Sequence, residues 1–169
     1  GRYVIYTGSA DLQVLVGDGP GSGSPFFCLD TKAGLVNIDV QSTGKAAHDY
    51  AFIWKGTNTA NTVSIASGTF AAAMDTGELA TIFGLIINAA PGKPRPRVYC
   101  GPGCTLNTAS STIKNNGGDL HTESACLTVT LENGATWEHL NGTVTTANVD
   151  GKLKLFSGDT ITTITLFEN

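Results

Sequence analysis

The chain has 169 residues, enough for one domain with a real core and barely enough for two. Charged residues make up 14% of it, against roughly 25% in ordinary soluble domains, and the net charge is −4. The one cluster of cations, Lys93-Pro94-Arg95-Pro96-Arg97, cannot neutralise a row of phosphates, and the longest apolar run, residues 79–90, falls short of the roughly 20 residues of a membrane span. No nucleic acid and no membrane is therefore expected as a partner.

In chain order the pattern is β-rich. Arg2-Tyr3-Val4-Ile5-Tyr6 and residues 12–16 read as strands, residues 17–25 as a Gly/Pro/Ser loop, and residues 26–29 and 35–40 as strands. In the last of these, Leu35, Val36, Ile38 and Val40 alternate with Asn37 and Asp39, which suggests one face inside and one wet. After a loop over 42–49, residues 51–54 and 62–65 read as strands closed by Lys55-Gly56 and Ser67-Gly68. Residues 69–82 carry Ala71, Ala72, Ala73 and Met74, which suit a helix, but Gly77 and the flanking β-rich segments favour strand, turn, strand. Residues 81–88 read as a buried strand. Pro91, Pro94 and Pro96 then mark a stiff extended connector and a boundary.

Beyond that boundary four stretches align: 105–118, 119–135, 136–151 and 152–169. Each opens on a polar and an apolar residue: Thr105-Leu106, Asp119-Leu120, Thr136-Trp137, Lys152-Leu153. The first three close on Gly118, Gly134 and Gly151. A repeat of this length means a solenoid, in which one unit buries its apolar face only by stacking on its neighbours. Leu106, Leu120, Trp137 and Leu153 are then expected to form one interior column. Ile113, Leu127 or Val129, Val144 and Ile161 form a second. Asn116-Gly117, Asn133-Gly134, Asn141-Gly142 and Asp150-Gly151 are expected to supply positive φ at corners. The last unit is apolar enough to need a cap or partner.

His121, Glu138 and Lys154 fall at equivalent positions of three successive units. A base, an acid and a cation there could serve a polysaccharide-cleaving β-helix, or they could form a surface ladder of alternating charge. No pair of acids stands out for glycoside hydrolysis. His139 is expected to face inward with Trp137. Cys28, Cys100, Cys104 and Cys126 match no zinc spacing and read as buried free thiols. There is no phosphate loop, dinucleotide fingerprint, nucleophile elbow or calcium loop, so no catalytic residue, cofactor or metal is expected.

Asn141-Gly142-Thr143-Val144-Thr145-Thr146-Ala147-Asn148-Val149-Asp150-Gly151 resembles repeats in virion proteins of tailed bacteriophages. So does Ser157-Gly158-Asp159-Thr160-Ile161-Thr162-Thr163-Ile164-Thr165-Leu166. Residues 61–68 and 76–81 look like the less regular segment ahead of such repeats, and the resemblance covers residues 35–169. It implies a β-helix subunit of a phage particle, on the head surface or in the tail, with no catalytic residues to carry over.

These features together lead us to expect an all-β chain: a short parallel β-helix (β-solenoid) with regular rungs over 97–169. An irregular β N-terminal part over 1–96 belongs to the same domain, with residues 1–30 as an attachment arm. The expected role is structural and not enzymatic: a capsid decoration or cement protein on the virion surface, a homotrimer by its rod-like symmetry, partnered by the major capsid protein or other virion proteins. The alternative is a tail-associated carbohydrate-binding or polysaccharide-cleaving β-helix protein.

Overall fold

A computed structural model describes the backbone of four strands within residues 2–40 and, with side chains, residues 50–167 apart from 51, 58, 60, 76, 107–111 and 157. The loops expected over 17–25 and 42–49, the side chains of Tyr3, Tyr6 and Cys28, and the facing of residues 35–40 lie outside the described residues.

All sixteen described elements are strands, and every pairing between them is parallel. One column stacks β1 (Arg2–Tyr6), β3 (Phe27–Thr31), β5 (Phe52–Trp54), β7 (Thr69–Ala72), β10 (Arg97–Cys100) and β13 (Asp119–Thr122). It continues through the C-terminal halves of β14 (Cys126–His139) and β15 (Thr143–Leu155). The second column stacks β2 (Leu12–Val16), β4 (Leu35–Val40), β6 (Thr62–Ile65), β9 (Gly84–Asn88) and β12 (Thr112–Asn116). The N-terminal halves of β14 and β15 and then β16 (Thr160–Leu166) complete it. β8 (Ala80–Ile82) and β11 (Cys104–Leu106) form a small separate sheet. The chain is an all-β parallel solenoid, and residues 69–82 are strand, turn, strand.

The layers differ in length. Register partners Phe27, Phe52, Phe70, Val98, Leu120, Trp137 and Leu153 are separated by 25, 18, 28, 22, 17 and 16 residues. Only the last steps are near-constant, so only there is the repeat visible in sequence. Inward residues of the two columns interdigitate in one core, where Phe52 and Phe70 stack at 5.7 Å and Trp54, Trp137, Leu85 and Leu131 are fully buried. An aromatic pair of this kind adds about 0.5–1.5 kcal/mol beyond area burial.

Two expected columns are revised. Leu120, Trp137 and Leu153 stand in register, but Leu106 does not: it pairs with Ile82 in the small sheet, and Val98 fills its place. Residues 101–106 are an excursion within a 22-residue layer, and their Thr-Leu dipeptide mimics a layer start. The second column splits in two. Ile113, Val129, Ala147 and Ile164 form one row, while Cys126, Val144 and Ile161 form another. Residues 81–88 are also not buried throughout: Leu85 and Ile87 point in, while Ile86 is 38% exposed.

The corners are built from Asn and Gly. Gly117, Gly134 and Gly142 have φ of 80°, 69° and 104°, and Asn133 has 51°. Asp150-Gly151 lies inside β15 and is no such corner; a Cβ on Gly151 would collide with the Ala135 carbonyl oxygen. The buried Asn115 amide donates to the carbonyls of Gly118 and Thr136, and its oxygen accepts from Gly118 N–H. Outside, the Asn133 amide donates to Asn116 at 2.6 Å and Asn116 to Asn88 at 2.8 Å, an amide ladder along the stack. The Pro-rich stretch is part of this corner: Arg95 donates to Asp119 Oδ1 and to the Gly118 and Gly134 carbonyls, tying successive layers.

Candidate functional site

The outer face of the first column carries two outward rows, because side chains alternate along each strand. One row is Arg97, Asp119, Thr136 and Lys152; the other is Tyr99, His121, Glu138 and Lys154. These rows and Tyr50 line an open groove of about 620 Å³. The structure thus brings His121, Glu138 and Lys154 together as expected. Lys154 Nζ donates to Glu138 Oε1 at 3.0 Å, and His121 Nδ1 lies 3.7 Å from Glu138 Oε2. Lys154 also sits 4.6 Å from the Phe156 ring centre. Exposed ion pairs of this kind contribute about 0–1 kcal/mol each.

Glu123, Tyr50 and Tyr99 join this column, a grouping that the sequence reading did not make. Glu123, just past β13, accepts from Tyr99 Oη–H at 2.8 Å and lies 3.1 Å from His121 Nε2. Tyr50 stacks on Tyr99 at 5.8 Å, and Tyr99 packs on His121 at 4.7 Å. Nothing local announces that they converge, since they meet across layers. Beneath them the outward Ile53 and Ala71 are buried by Tyr50, Met74 and Tyr99, a small apolar cluster on the outside of the sheet. Burial pushes the Tyr50 phenol up to about 12, against the pull of Arg97. Burial, followed by the hydrogen bond to Glu123, raises Tyr99 as well. Both therefore remain protonated hydroxyls.

Every carboxylate of this face is engaged. Asp119 accepts from Arg95 and from Thr136 Oγ1–H, Glu123 from Tyr99, and Glu138 from Lys154. Such an arrangement presents carboxylate, imidazole, phenol and ammonium groups together on one face and can recognise a ligand.

Inside the same strands lies a polar network. Trp137 Nε1–H donates to Thr122 Oγ1 at 2.9 Å, Thr122 Oγ1 meets His139 Nδ1 at 2.8 Å, and His139 Nε2 meets the Gly142 carbonyl at 3.1 Å. An indole only donates and a carbonyl only accepts, so in the neutral imidazole the Thr122 hydroxyl donates to Nδ1 and the ring proton sits on Nε2. His139 is fully buried, as its register with Thr122 requires.

Cys100, Cys104 and Cys126 are buried free thiols. A hydrogen bond with Cys104, together with burial, holds the Cys100 thiol well above its ordinary range, and burial pushes Cys126 up to about 12. Thiols held protonated in this way are poor nucleophiles and poor metal ligands. Among the described residues no three His, Cys, Asp or Glu side chains converge on a common metal position.

Comparison with protein-family models, with curated proteins and with solved structures gives no match.

Proposed function

We propose that this chain is a structural subunit of a tailed-bacteriophage virion, a capsid decoration or cement protein that docks on the coat lattice and carries out no catalytic step. The observation that carries this reading is the last layer. Ile164 and Leu166 continue the inward rows of Ala147 and Val149, yet they are 46% and 73% exposed. Leu155, Phe156 and Phe167 are exposed beside them, and among the described residues β16 pairs with β15 alone. An uncovered core layer with an unpaired strand edge is a surface that another apolar surface completes. Fully paired layers below it make a stiff, weakly charged body that transmits such docking by shape, and three copies closing around one axis would tie coat neighbours together. The stretches that resemble phage repeats are those that build β15 and β16.

The test is mass spectrometry and cryo-electron microscopy of particles assembled from the genome that encodes the chain. The expected result is a rod at the outer surface with residues 153–167 against the major capsid protein. Absence from purified particles, or a rod whose last layer faces solvent, would refute the proposal.

A further inference from the structure

We propose that the groove on the outer face of the first column binds a carboxylated oligosaccharide laid along the stack, an inference independent of the virion role. Arg97 and Lys152 belong to the same outward row, with Asp119 and Thr136 between them. Both are exposed, and neither enters any of the ion pairs found among the described residues. Three strand steps separate them, about 14 Å at roughly 4.8 Å per step. The acids between them are already committed: Asp119 to Arg95 and Thr136, Glu138 to Lys154. The two uncommitted cations therefore set the charge that a ligand must bring, and an anionic group at each end of the span answers both. Between those ends the groove offers carboxylate lone pairs to hydroxyls, and the stacked, half-buried Tyr50 and Tyr99 rings that line it to the apolar face of a sugar ring.

The occupant is a saccharide and not a peptide or a nucleic acid for reasons of the same face. β13 and the C-terminal half of β14 are paired on both sides, so a peptide strand has no edge to join here. Asp119, Glu123 and Glu138 interrupt the cations, so a phosphate backbone would meet repulsion along its length. Hydroxyls spaced along a chain, with carboxylates at intervals, fit the alternation of acceptor and donor.

Isothermal titration of the purified chain with hyaluronan oligosaccharides, whose carboxylates fall on alternate sugars, tests this, with their methyl esters as the neutral comparator. Expected is binding to at least one acidic oligomer, weakened at least tenfold by esterification and by R97Q/K152Q, and weakened by added salt. Lys114→Gln, on the other column, should leave it unchanged, and thermal melting should show all variants folded. Failure of every acidic oligomer to bind, equal binding of the ester, or full binding by R97Q/K152Q would each overturn the proposal. None of these outcomes bears on whether the chain sits in a particle, which imaging decides separately.

Discussion

Thr122 shows how one side chain decides the order of a layer. Its hydroxyl bridges the Trp137 indole N–H and the His139 imidazole by hydrogen bonds, and all three side chains are buried. Replacing it with Val keeps the volume but leaves a donor and an acceptor unpaired in the core, and each orphaned buried group costs about 1–3 kcal/mol. Thr122→Val should therefore lower the unfolding free energy by about 2 kcal/mol or more, and Thr122→Ser by much less. Urea denaturation measures both, and a Val variant as stable as the parent would show that the network does not hold this layer. Sequence reading placed His139 inside because alternation with Trp137 requires it. It could not find the bond to Thr122, which lies 17 residues away and arises only when layers stack.

At the scale of elements, the turn between β7 and β8 depends on Glu78. Its Oε1 accepts from Lys55 Nζ, and its Oε2 from the Met74 and Asp75 N–H groups, at 3.0, 3.1 and 3.4 Å. Burial alone would raise its pKa, but the Lys55 hydrogen bond and these backbone donors outweigh it and hold the carboxyl below its ordinary 4.5. A carboxyl depressed by folding adds stability above its unfolded value and loses it as pH falls through the folded one. The difference in stability between the parent and Glu78→Gln should be present at about pH 7 and smaller at about pH 3. Denaturant melts at the two pH values measure it, and a difference that grows on acidification would contradict the assignment. The strands themselves were legible from alternation and Gly punctuation. Leu106 was misplaced because a polar–apolar dipeptide looks the same at a layer start and in an excursion, and only pairing with Ile82 tells them apart.

At the scale of the described stack, β16 pairs with β15 alone and carries exposed apolar side chains. Ile164 and Leu166 have the register of core residues and the exposure of surface ones. Ile164→Lys with Leu166→Lys should abolish any concentration-dependent association in sedimentation velocity while leaving the thermal midpoint nearly unchanged, since these side chains contribute little to the core beneath them. Association undiminished in that variant would move the docking surface elsewhere on the rod. The groove is a property of this scale too: Tyr50, Glu123 and Arg97 come from different layers, and no window of sequence contains them together.

The sequence by itself determined the parallel stack and the register of its last layers. Repeats of nearly equal length place like residues over like, and alternation then sorts inside from outside. That is why Leu120 over Trp137 over Leu153, and His121 beside Glu138 beside Lys154, were readable in advance. Only the tertiary structure decided the rest. Where layers run from 18 to 28 residues, their excess length goes into excursions whose size no local pattern sets, so Val98 rather than Leu106 completes the column. Which hydroxyls, thiols and carboxylates find partners follows from that register, because hydrogen bonds between layers depend on distances of a few ångströms between residues far apart in the chain.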